Sequence, residues 1–77
     1  FVIEYIERGM DLYDFLFKEN INQSMIEVII IKGELSNTLM KFNMFDFENL
    51  KKIIIKGNPN ILIYNILDTV EIIELPS

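Results

Sequence analysis

The 77 residues suffice for one small domain or a piece of a larger fold; 51% are hydrophobic, 15 are Ile, and the net charge is −5. The absence of Cys and His excludes disulfide frameworks, thiolate and imidazole metal sites, histidine general bases and Ser-His-Asp triads. The seven basic residues are scattered, which argues against a nucleic-acid footprint, and no apolar run reaches the roughly 18 residues of a membrane span.

A chain of this length buries only roughly 60% of its unfolded surface. The apolar excess therefore predicts an excised part of a larger fold, with faces covered by segments outside these residues. Residues 1–6, FVIEYI, read as a buried-type strand interrupted by Glu4. Glu7-Arg8-Gly9 is a polar connection, with Gly9 giving backbone freedom at a turn. Residues 11–19, DLYDFLFKE, predict a short amphipathic helix, since Leu12, Phe15 and Leu16 fall at i, i+3 and i+4. Asp11 and Asp14 in the first turn and Lys18 in the last suit the helix dipole.

Ser24, with Glu27 three residues on, fits a capping box. Val28, Ile31, Leu35, Leu39 and Phe42 then keep helical spacing, which predicts a long helix over 24–45. A lone interior Gly33 would cost that helix about 1 kcal/mol. The β-branched run at 28–31 points the other way, to a strand. Residues 46–52 read as a loop, 53–55 as a buried segment, and 56–60, KGNPN, as a loop by composition.

Residues 61–64 and 70–75 are short apolar strands with turn-prone Asn65 and Asp68 between them. They predict a hairpin with both faces partly covered. Asn60 enters the first strand and Glu74 leaves the second. Held at adjacent hairpin ends, an amide and a carboxylate offer a hard cation two oxygen ligands. The simpler alternative has Asn60 capping a turn and Glu74 solvated. Asp14 and Glu27 read most simply as solvated helix charges, and Tyr5 and Tyr13 as half-buried aromatics with wet hydroxyls.

One internal repeat is present: IIIKG stands at 29–33 and again at 53–57, 24 residues apart. Leucine-rich repeats use periods of 20–29 residues, and 70–75 would be a third, poorly spaced unit. This alternative makes 28–31 a strand paired in parallel with 53–55, where the long-helix reading makes it helical.

The order of strand, connection, short helix, long helix, loop and hairpin resembles the middle of a protein kinase domain. FVIEYIERGMDLYDFL looks like the hinge strand and the first helix of the large lobe, and GNPNILIYNILDTVEIIELPS like the end of the catalytic loop, its hairpin and the metal-binding triplet. GMDLYDFL, ELSNTL and VEIIELPS are most similar to the haspin-like group. The resemblance implies an α+β class, the central and incomplete part of a kinase-like fold. It places hinge strand 1–6, short helix 11–19, long helix 24–45, catalytic-loop remnant 53–60 and hairpin 61–75. It implies Ile3 as gatekeeper, and Glu4, Tyr5 and Ile6 facing adenine through their backbone. It further implies Asp11 at the ribose, Leu62 and Ile73 lining the pocket, and Asn60 and Glu74 on metal, with ATP and Mg2+ as cofactors.

The departures fall on catalysis. The H-R-D tripeptide becomes Ile53-Ile54-Ile55, which puts Ile55 where the catalytic base stands, and D-F-G becomes Glu74-Leu75-Pro76. Lys56 is cationic at neutral pH, and Asp46 lies too far from Asn60 for this loop. The resemblance thus implies a catalytically degenerate fragment of a serine/threonine kinase domain. Its partners would be the remainder of that domain and a protein substrate such as a histone, in an intracellular, nuclear setting. The alternative function is a leucine-rich-repeat-type protein interaction module.

Overall fold

The computed structural model describes residues 1–6, 8–33 and 39–76. Along the chain lie β1 (Val2–Ile6), α1 (Leu12–Lys18), β2 (Val28–Gly33), β3 (Met40–Asn43), β4 (Lys52–Gly57), β5 (Ile61–Tyr64) and β6 (Glu71–Leu75). Single 3-10 turns at Gln23–Met25 and Met44–Asp46 form corners. The fold is α+β. Strands β1, β2, β4 and β6 form one sheet in that order, every pair parallel, and β3 and β5 pair in parallel in a second.

Val2 faces Val28, Val28 faces Lys52 and Lys52 faces Glu71, steps of 26, 24 and 19 residues. The chain therefore winds as a coil in which each turn lays its strand beside the strand of the turn before. Parallel pairing requires such crossovers, because the chain must return to the same end each time. The first turn returns through α1, and the next two return through β3 and β5.

Alternation within the strands decides the two faces. One inward row runs Ile3, Ile29, Ile53 and the next Tyr5, Ile31, Ile55, all buried. Leu12 and Leu16 of α1, Met40 and Phe42 of β3, and Phe47 fill the space opposite. Phe42 and Phe47 stack with centroids 4.7 Å apart, and Tyr5 meets Phe15 edge-on at 5.4 Å. Among the described residues no polar or charged side chain is buried in this core.

The short helix stands where the pattern places it. Asp11 is its N-cap, accepting from the Tyr13 N–H, Lys18 lies in the last turn, and Leu12 and Leu16 are buried. The first strand is also present as β1. Three other expectations fail. In place of a helix over 24–45, the described residues form a corner, β2 and β3, while Leu35 lies outside them. Val and Ile favour extended backbone, and β2 gains a full ladder on both sides, pairing with β1 and β4 at once.

In place of a hairpin over 61–75, β5 pairs with β3 and β6 pairs with β4, in different sheets. Stacking on the preceding turn gives both strands partners that a hairpin would have withheld from β3 and β4. In place of a catalytic-loop remnant at 53–60, β4 occupies Lys52–Gly57, with Ile53 and Ile55 buried.

Glycine ends the second IIIKG run for a steric reason. Gly33 and Gly57 are register partners, and Gly57 has φ +77°. A Cβ on Gly57 would stand 2.4 Å from the Gly33 carbonyl oxygen. That same oxygen accepts the Asn58 N–H at 3.0 Å, so the chain leaves β4 pressed against the turn below. Asparagines shape the opposite corners. Asn22 accepts from the Ser24 N–H and Asn43 from the Phe45 N–H, each at 3.0 Å. Asn65, at φ 54°, donates its amide to the Asn43 Oδ1 at 2.9 Å and so links two successive corners.

Candidate functional site

At the C-terminal ends of β4 and β6 lies an open cavity of about 740 Å³, lined by Asn60 and Glu74 together with Gly57, Asn58 and Pro59. The two residues predicted to share a metal thus reach one cavity, though from the loop before β5 and from β6 rather than from the ends of one hairpin. Glu74 sits in the register position opposite Ile55 but is exposed, because no described residue covers that side of β6. Among the described residues no group of three or more acidic, His or Cys side chains comes together. One carboxylate and one amide supply far fewer oxygens than the six to eight that Ca2+ takes.

The residues placed around adenine do not converge. Ile3 and Tyr5 are buried in the core, and the Tyr5 hydroxyl donates to the Met10 carbonyl. Glu4 points outward and pairs with Lys32 at 3.2 Å. Ile6 is exposed, and Asp11 is spent on its helix cap. Leu62 belongs to the second sheet, 48% exposed. Ile73 shares a register row with Glu4 but lies three strands away, about 14 Å at the usual strand spacing.

The outward face of the four-stranded sheet has a different composition. Its middle row runs Glu4, Ile30, Ile54, Ile73, and the three isoleucines are half-buried. On one flank stand Val2, Val28, Lys52 and Glu71, with Lys52 and Glu71 3.7 Å apart. On the other stand Ile6, Lys32, Lys56 and Leu75. Three lysines against two glutamates leave this face at +1, on a chain of −5. Lys56 has no carboxylate partner among the described residues.

This face escaped the sequence reading. Its signal was the IIIKG repeat: the first and third Ile of each copy go inward, while the second Ile and the Lys go outward. Only the register shows that the two copies lie side by side.

Two further polar sites brace the coil. The Tyr13 hydroxyl donates to Asp46 Oδ2 at 3.0 Å and accepts from the Asn43 N–H at 3.1 Å, tying α1 to the corner of the next turn. Partial burial is the main cause that pushes its pKa up to about 12; the Asp46 carboxylate adds to the rise and the Asn43 N–H opposes it. At the strand starts, Glu27 Oε2 takes Lys51 at 3.0 Å and Oε1 the Phe1 ammonium at 3.0 Å. The Lys51 ammonium first, then the N-terminal one, holds this exposed carboxyl below its ordinary value.

No family model, curated protein or solved structure matches the chain. Among the described residues no helix is long and apolar enough to cross a membrane.

Proposed function

We propose that this chain is a repeat-type protein interaction module that presents the outward face of its parallel sheet to a polypeptide partner. The observation that carries this reading is the register Ile29↔Ile53, Ile30↔Ile54, Ile31↔Ile55 between parallel strands. That pairing stacks the two IIIKG copies as successive turns, as a leucine-rich-repeat-type coil does. It also assembles from single residues of separate turns a continuous row of half-exposed isoleucines. A fully charged or hydroxylated surface would have kept a sheet face solvated without such a row.

The kinase-like reading leans on a long helix at 24–45 and a hairpin at 61–75, and strands of two sheets stand there instead. ATP, Mg2+, a histone substrate and a nuclear setting rest on that resemblance alone.

Panning a random peptide display library over the protein tests the interaction reading. Enriched peptides should lose binding to Ile54→Asp and keep it with Phe45→Asp, an exposed corner residue away from the face. If every enriched peptide tolerates Ile54→Asp while circular dichroism shows that variant folded, the face is not the binding surface.

A further inference from the structure

All-parallel sheets are almost always covered on both faces. Here one face is covered by α1, β3 and the corner aromatics, and the other carries the half-exposed row Ile30, Ile54, Ile73. Resting on the interaction-module reading above, we infer that the occupant of this face is an amphipathic helix, lying across the strands, with acidic side chains along the flank that meets Lys32 and Lys56.

The spacing selects a helix. Adjacent strands lie about 4.8 Å apart, so Ile30 to Ile73 spans about 10 Å. In an α-helix, residues i and i+7 are about 10.5 Å apart on one face, with i+3 or i+4 between them. Three apolar helix positions therefore fall on three isoleucines with an offset of under about 1 Å. An extended ligand crossing the strands repeats its side chains about every 6.6 Å on one face, and it falls out of step by the second isoleucine.

Charge selects the orientation and the flank. Lys32 and Lys56 stand two residues beyond the isoleucine row, about 6.6 Å along the strands. Lys32 already shares Glu4, while Lys56 has no carboxylate partner among the described residues. The opposite flank is internally neutralised at Lys52 and Glu71. A helix with carboxylates on one side of its apolar stripe thus meets the one excess cation, Lys56, beside the Lys32–Glu4 pair on one flank and finds no excess charge on the other.

The test uses synthetic helices and the whole protein. An acidic probe carries Leu at i, i+3 and i+7 and Glu along one flank; a basic probe replaces those Glu by Lys; a third inserts Pro to prevent helix formation. Fluorescence anisotropy should give saturable binding of the acidic probe alone. Lys56→Glu should weaken that binding by about tenfold and reverse the preference toward the basic probe. Lys56 is half-buried on the outward face of β4, so circular dichroism is recorded on the variant alongside, and Lys56→Gln, which removes the charge without reversing it, repeats the comparison. Equal binding of the acidic and Pro probes, or indifference to Lys56→Glu, overturns the acidic-helix assignment. If display-selected extended or basic peptides still need Ile54, the interaction reading stands and only the helix is wrong. If no peptide of any kind needs Ile54, both fail.

Discussion

Replacing Gly57 by Ala tests the close approach of β4 to β2 where Gly57 lies beside Gly33. Two penalties follow from the structure. A left-handed backbone at φ +77° costs an L-residue roughly 1–2 kcal/mol. The new methyl would also stand 2.4 Å from the Gly33 carbonyl oxygen, which is backbone and cannot swing aside. Relieving such an overlap costs about 1–3 kcal/mol. Together the loss is about 2–5 kcal/mol, a large share of the roughly 4–12 kcal/mol that 77 residues would hold at 0.05–0.15 kcal/mol each. Gly9→Ala is the internal control: its φ is +86°, but nothing lies within 4 Å of the added Cβ. Both changes restrict the unfolded chain alike, so their difference isolates the contact with Gly33. Urea denaturation followed by circular dichroism should place Gly57→Ala about 1–3 kcal/mol below Gly9→Ala. Equal stabilities would refute the stacking of Gly57 on Gly33, and with it the register of β2 and β4.

Tyr13→Phe removes the links to Asp46 and Asn43 and should cost about 1–2 kcal/mol at neutral pH by thermal melting. Tyr13 titrates higher folded than unfolded, so its contribution is fully present below pH 10 and declines as pH rises toward about 12; the Phe variant should lack that decline. Glu27 is depressed, so its contribution is present above the ordinary value of 4.5 and is lost as pH falls through the folded value. Melting at low salt should show this acid limb in the parent, with added salt flattening it, and should show a smaller one in Glu27→Gln. Calorimetric titration with Mg-ATP should give no affinity tighter than millimolar, about −4 kcal/mol, because Glu4 and Ile73 stand at opposite ends of one sheet row while Asp11 caps α1 and Leu62 belongs to the second sheet; micromolar binding would reinstate the nucleotide reading.

The helix α1 was legible because its signals are local. Asp11 caps it, Leu12 and Leu16 share a face, and Lys18 closes it, all within nine residues. The strands were legible as apolar runs, but their partners were not. Val28, Ile31, Leu39 and Phe42 fall at helical spacing by coincidence, for Val28 and Phe42 belong to different sheets and Leu39 is 47% exposed. Short apolar runs do not separate helix from strand by periodicity; what separates them here is a neighbour 24 residues away. The turn at Asn65 and Asp68 was equally visible, yet a turn residue does not say whether the next strand reverses beside the last one or passes to another sheet. Asn60 and Glu74 did reach one cavity, because the ends of β4 and β6 lie side by side and the loop after β4 runs past them.

The two IIIKG copies bind these observations together. Their inward isoleucines are explained by the core, and Gly57 by its close approach to the Gly33 carbonyl. Neither constraint accounts for the middle isoleucine. A Thr at 30 or 54 would keep β-branched backbone preference and would be better solvated. Ile54 instead stands between Ile30 and Ile73, each from a different turn, on the side of a parallel sheet that the chain's described residues leave bare. The lysine that follows keeps the row from being uniformly apolar and gives it a charged edge. A surface that is apolar in the middle, cationic along one edge and neutral along the other is directional. On the interaction reading proposed above, it would set where a partner lies and which way its acidic side faces.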